Sequence, residues 1–428
     1  MAAELSFEQA PPLSVPLRFF FTAPLFALAA GLLLALRGEA VFASRWTPEA
    51  LAATHLLTAG TMLQIMLGAL FQVLPVAAGA NVAQPRLLAG LVHLALSAGG
   101  AALACAFLWS DAQFFHLAAG LLGLAVAALV LGVSVGLWRT PALGATVWGL
   151  RGAMLALVVT VGLGVALALV RSGDLGGRWM VLSTLHQAWG LGGWAGLLLA
   201  AVAWLVVPMF LLTPSYPTLF TRGLPAAIGA VLTTGSLVMA TPAGWGGGWA
   251  ERLLAIGLAL AAAAFAWATL TLQRRRRRKI TDACFRFWRL AMLALTLAAG
   301  LLAASATGLA PDTGLGLPLG VLALAGVFLS VMLGMLYKIV PFILWLHLRR
   351  KVSRPPAMTR LVTEARQLLH YRLHLANLLA LLLATLWPPA AMAGGLLLAA
   401  SGGLLLVNLA GALRAYLAVE QVPAVALS

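Results

Sequence analysis

Long apolar stretches fill nearly the whole chain, and each is broken by a short cluster of Arg, Pro or Gly. The breaks delimit twelve runs, at 17–37, 51–77, 87–109, 114–137, 151–170, 180–212, 224–242, 252–272, 286–306, 316–347, 371–387 and 390–413. A bilayer has a hydrocarbon core ~30 Å thick and an α-helix rises ~1.5 Å per residue, so ~20 apolar residues cross it. Hydrocarbon offers no water to an exposed N–H or C=O, so such runs must be helices. The alternating polarity of a barrel strand is absent. The pattern predicts an all-α polytopic membrane protein with twelve transmembrane helices.

A repeat organises these helices. Residues 66–75 read M-L-G-A-L-F-Q-V-L-P and residues 332–341 read M-L-G-M-L-Y-K-I-V-P. A fainter middle copy, A-W-L-V-V-P, ends at Pro208. The three prolines are evenly spaced, 208 − 75 = 133 and 341 − 208 = 133, and each follows an aromatic residue (Phe71, Trp204, Tyr337) by four positions. Each is expected to end a long span, the second, sixth and tenth. Three pseudo-repeats of four helices follow within one membrane domain, 1–428: about 1–80 with 371–428, then 81–212, then 213–347.

Composition agrees: 62% of the 428 residues are hydrophobic and 9% are charged, too little polar surface for a soluble domain of this size. The net charge of +16 raises nucleic acid as a partner, but its distribution points elsewhere. With alternate loops on alternate sides, 21 of the 27 Lys and Arg fall on the side of the N-terminus, five on the other, and Lys338 within a span. That bias puts both termini in the cytoplasm of a bacterial inner membrane. The run Arg274 to Lys279 then becomes a topology anchor that meets anionic lipid head groups, and membrane lipids, not nucleic acid, are the expected partners. Trp245 and Trp249 read as interfacial anchors. Cys105 and Cys284 fall on opposite sides and cannot pair, and no C-x-x-C-H is present for covalent haem. Without a basic leader and a small-residue cleavage site, the first span is expected to be retained.

No Asp or Glu lies in a span interior; the intramembrane ionisable residues are histidines, and such residues mark functional sites. His55 opens the second span and His186 the sixth, 75 − 55 = 20 and 208 − 186 = 22 residues before the repeat prolines. Small residues follow each (Ala59 and Gly60; Gly190, Gly192, Gly193 and Gly196), which lets a flat macrocycle or another helix approach closely. His116 opens the fourth span, so three imidazoles are expected at similar depth in the outer half. Neutral imidazole from facing helices is a standard ligand for haem iron or copper; a hydrogen-bonded or interfacial histidine is the plainer alternative. On the opposite side, P-R-L-L-A-G-L-V-H-L-A (85–95) resembles R-Q-L-L-H-Y-R-L-H-L-A (366–376), which matches His93 with His374. His347 and His370 read as interfacial.

The segment H-L-L-T-A-G-T-M-L-Q-I-M-L-G-A-L-F-Q-V-L-P, from His55 to Pro75, together with the helix count, resembles the heme-copper oxidase subunit I superfamily, which comprises oxidases, nitric oxide reductases and the haem- and copper-containing NnrS membrane proteins. The resemblance implies three four-helix arcs, His55 as an axial ligand of a low-spin haem, and His186 where the sixth span supplies a copper ligand. The seventh span, 224–242, lacks the oxidases' His-His pair and the tenth has only His347, at its far end, so a complete haem–copper centre is not expected. The resulting expectation is a b-type haem protein, with copper as a second metal, in electron transfer or nitric oxide and oxygen chemistry. His55, His186, His116, His93 and His374 are the candidate ligands, a redox donor protein or quinol the electron source, and a second copy of the chain a further partner. The alternatives are a permease for a metal ion such as copper, or a non-catalytic membrane assembly factor.

Overall fold

The structure, a computed structural model, describes residues 7–140, 144–241, 248–277, 280–310, 314–352 and 355–420. Trp245, Lys279, Asp312 and Arg354 lie outside the described residues. Those described form twelve long helices and no strand. In chain order they are α1 (Ser14–Ala43), α2 (Pro48–Ala78), α3 (Pro85–Trp109), α4 (Ala112–Arg139), α5 (Ala145–Ser172), α6 (Trp179–Leu211), α7 (Thr218–Ala240), α8 (Trp249–Arg274), α9 (Ala283–Ala306), α10 (Gly316–Leu348), α11 (Glu364–Ala384) and α12 (Ala390–Glu420). Eleven are long and apolar enough to cross a membrane, and the protein is an all-α multi-pass membrane protein. The exception is α11, whose sequence carries Glu364, Arg366, Gln367, His370, Arg372, His374 and Asn377.

Helix starts follow local chemistry. The Thr47 side chain accepts from the Ala50 N–H to cap α2, Asp111 caps α4 through the Gln113 and Phe114 N–H groups, and Asp282 caps α9 through that of Phe285. Each oxygen satisfies donors that the first turn leaves unpaired. The eleventh helix is displaced from the expected 371–387 because it starts directly after Thr363, seven residues earlier, and stops short of Pro388 and Pro389.

The repeat prolines do not end their helices. α2 and α6 each run three residues past Pro75 and Pro208, and α10 runs seven past Pro341. The missing proline N–H leaves the carbonyl four residues back without its helical donor. That carbonyl belongs to Phe71, Trp204 and Tyr337 in turn.

These three helices share a second irregularity. Each contains a π-helical segment: Leu56–Met62 in α2, Ala188–Ala195 in α6 and Leu322–Leu329 in α10. The segments begin 75 − 56 = 19, 208 − 188 = 20 and 341 − 322 = 19 residues before the repeat prolines. π-Turns are rare and concentrate at functional sites, so three at one register extend the repeat from sequence into backbone. These helices also form the interior. The most apolar window of α2 is 83% buried, that of α10 72% and that of α6 56%, against 44% or less for the other spans. Around them each helix packs on its chain neighbour, α1 closes against α12, and the π-segments of α2 and α10 touch.

Close packing relies on small residues where two helix backbones meet, as lipid-embedded interfaces require. A Cβ at Gly395 would lie 2.3 Å from the Ala35 backbone nitrogen, and one at Gly31 would lie 2.4 Å from that of Ala399. Gly395→Ala is therefore expected to force α1 from α12 at a cost of roughly 1–3 kcal/mol, read as a lower midpoint of thermal unfolding in detergent. Gly403→Ala, on the same helix with nothing within 4 Å, is expected to leave the midpoint unchanged or higher; equal effects of the two would contradict this seam.

Candidate functional site

His55 occupies the last α-helical turn of α2 before its π-segment, and His186 holds the matching place two residues before the π-segment of α6. The third repeat has Val321 directly before its segment, so two of three equivalent positions carry imidazole. The two rings come together: their centroids are 6.3 Å apart and their planes differ by 24°. Both are half-buried.

Their tautomers follow from their partners. His55 Nδ1 lies 2.8 Å from the Leu51 carbonyl, one turn back on its own helix, and His186 Nδ1 lies 2.9 Å from the Thr160 carbonyl on α5. A carbonyl only accepts, so in each neutral ring Nδ1 carries the proton and Nε2 carries the lone pair. Among the described residues neither Nε2 has a hydrogen-bond partner. This is the arrangement of a metal-ligating histidine, in which the outer nitrogen is fixed by a backbone acceptor and the inner one is left basic. Phe107 of α3 stacks on His55 with centroids 5.1 Å apart. The His186 ring lies so close to α5 that a Cβ at Gly164 would sit 3.1 Å from its Cε1.

The small residues after each histidine serve helix packing instead. An added Cβ at Gly60 would lie 2.3 Å from the Phe26 ring, one at Gly192 2.8 Å from Leu258, and one at Gly193 2.9 Å from Ala156. Gly164, which no motif marks, is the glycine that touches a candidate ligand.

The other three candidates do not join this pair. His116 is exposed at the start of α4 and donates to the Asp174 carboxylate between α5 and α6. The Ser172 hydroxyl and His116 hold the Asp174 carboxyl below its usual range. A carboxylate lowered in this way strengthens the link above its ordinary titration range, and the link is lost as pH falls through the lowered value. His93 of α3 pairs through Nε2 with the Thr22 hydroxyl of α1 at 2.8 Å and meets the edge of Phe19. His374 of α11 is fully buried, with Nε2 2.8 Å from the Ser330 hydroxyl. Ser330 donates to the Ala325 carbonyl, so His374 Nε2–H donates to Ser330, and the lone pair is on Nδ1, which is buried without a hydrogen-bond partner among the described residues. Among the described residues no three His, Cys, Asp or Glu side chains converge on a metal position.

His370 is the residue that interfacial reading misplaces, because it is fully buried. Asn408 Nδ2 donates to Tyr337 Oη at 2.8 Å, Tyr337 Oη–H then donates to His370 Nδ1 at 2.6 Å, and His370 Nε2–H donates to Ser401 Oγ at 2.7 Å. The chain crosses α12, α10 and α11 and returns to α12. With Gln367, His374 and Asn377, His370 makes a buried polar stripe on α11 at spacings of 3, 4 and 3, one face of a helix. That spacing is visible in the sequence and is the signal that would have found it. Tyr337→Phe strands His370 Nδ1 and Asn408 Nδ2 together. Leaving buried polar groups unpaired costs roughly 1–3 kcal/mol each, so the variant's thermal midpoint in detergent is expected to fall by several degrees; an unchanged midpoint would show that the chain is not formed.

No family model matches this chain, and no curated protein does.

Proposed function

We propose that this protein is a b-type haem protein of the bacterial inner membrane, with both termini in the cytoplasm, in which His55 and His186 are the two axial ligands and the role is electron transfer. The observation that carries the reading is the facing imidazole pair, each ring fixed through Nδ1 to a backbone carbonyl and each Nε2 unengaged. Bound here, haem would be held by His55 and His186, whose ring centroids are 6.3 Å apart.

The donor count favours haem over a bare ion. Structural Zn²⁺ and Cu²⁺ sites draw three or four donors from the protein, and among the described residues no such group converges. A macrocycle brings its own equatorial nitrogens and asks the protein only for axial ligands. When bound, haem supplies reversible one-electron chemistry. The chain's residues do the rest: Leu51 and Thr160 carbonyls fix the tautomers, Phe107 covers one face of His55, and Gly164 leaves room beside His186. With both axial positions taken by imidazole, electron transfer is favoured over gas activation. A redox donor protein or a quinol is the electron source this reading calls for.

The test is a reduced-minus-oxidised absorption spectrum of the full chain purified in detergent, with haem counted per chain. The expected result is a Soret and an α-band, lost in His55→Ala and in His186→Ala but kept in His93→Ala and His116→Ala. Copper or zinc without haem would replace this reading with that of a metal-ion permease. A colourless, metal-free protein would leave a membrane assembly factor.

A further inference from the structure

The end of α8 and the start of α9 enclose a cavity of about 270 Å³ on the Arg-rich face. Its rim carries Arg274, Arg276, Thr281 and Arg289, and its floor is Leu270, Phe285 and Leu293. A second hollow of about 260 Å³ shares Thr281, Phe285, Arg289 and Leu293 with it and adds Arg286 and Tyr371. The two make one groove with a cationic rim and an apolar floor.

The positive charge is not neutralised locally. Among the described residues, no carboxylate lies within ion-pair distance of Arg274, Arg286 or Arg289. The nearby acids are engaged elsewhere: Asp282 holds Lys338 and the Phe285 N–H, and Glu364 accepts from the Ala283 N–H. Arg276 stacks on the Phe285 ring at 3.8 Å, which holds its guanidinium at the rim.

A second observation points to a ligand. Gln273 lines the cavity and is only 4% exposed, yet neither its Nε2 nor its Oε1 has a hydrogen-bond partner. Buried amide groups are almost always partnered, so this one awaits a donor and an acceptor from whatever fills the cavity. Leu293, 53% exposed on the lipid-facing side of α9, continues the floor out along the helix surface.

We infer that this groove binds an anionic glycerophospholipid, with its phosphodiester against Arg274 and Arg289, its glycerol and ester oxygens on Gln273, and its acyl chains along Leu270 and Leu293. Basic pockets between helices at the charged end of a membrane bundle recognise such head groups, and the planar guanidinium fork suits phosphate oxygens. The apolar floor separates this ligand from a free phosphate, which would have no use for it. The inference does not depend on haem.

Native mass spectrometry and thermal unfolding of the full chain in detergent test it, with phosphatidylglycerol, phosphatidylcholine or inorganic phosphate added separately. Phosphatidylglycerol is expected to persist as a bound adduct and to raise the unfolding midpoint, while phosphatidylcholine and inorganic phosphate do neither. Arg289→Ala combined with Gln273→Ala is expected to cut adduct retention at least several-fold, and Arg414→Ala, an exposed arginine on α12, is expected to leave it unchanged. Equal retention of the two lipids, or retention that survives the double variant, would overturn the proposal. The same midpoint shift from inorganic phosphate alone would overturn it in favour of a simple anion site. If the double variant does not fold, the comparison of lipids on the unaltered chain still decides.

Discussion

A polar group placed in hydrocarbon has no water to fall back on, and this constraint shapes the whole molecule. It makes every long run a helix, because only there does the backbone satisfy itself. It also explains why buried polar side chains are tied into chains such as Asn408–Tyr337–His370–Ser401. Against that background, a polar atom left without a partner in the bundle, as at His374 Nδ1, is informative. His55 and His186 each present one, at matching places in two repeats, with the other nitrogen already committed to a carbonyl. The two rings lie with centroids 6.3 Å apart, and the proposed haem would engage both lone pairs.

The backbone around the pair is irregular at matching places. α2, α6 and α10 are the most buried helices, and each combines a π-segment with a proline in its last turns. A π-turn widens the helix by one residue and shifts the register of side chains beyond it, so a residue next to the segment can be aimed independently of the packing below. Two repeats use that position for histidine. The third has Val321 there, and its polar chemistry instead occupies α11, where Ser330 from the end of the π-segment meets His374. A common scaffold thus carries two unlike interiors, one with a pair of neighbouring imidazoles and one with a chain of side-chain hydrogen bonds across three helices.

How far the sequence reveals this depends on the scale of the force involved. Hydropathy over some twenty residues specifies the spans, and the twelve helices stand where the apolar runs lie; α11 begins earlier, at Glu364, because its first turns are polar and hydropathy does not count them. The pairing of His55 with His186 is legible from their similar distances to the repeat prolines, 20 and 22 residues. The π-segments are not, because an all-apolar stretch shows no periodicity that separates a π-turn from an α-turn. His116 sits in the sequence where a third imidazole at that depth is expected, but its partner Asp174 is 58 residues away and a one-dimensional pattern does not bring them together. His370 reads as interfacial from its place near a cytoplasmic end of the chain's apolar runs; its face of α11, shared with Gln367, His374 and Asn377, is buried in the bundle, with Arg372 on the opposite side.

Low-temperature electron paramagnetic resonance of the oxidised, purified protein tests whether one iron is held between His55 and His186. Ligation by two imidazoles predicts a low-spin ferric signal in the unaltered chain that either single alanine variant at these positions abolishes or converts to high spin. A high-spin ferric signal in the unaltered chain, a copper hyperfine pattern, or a low-spin signal that survives both variants would contradict it.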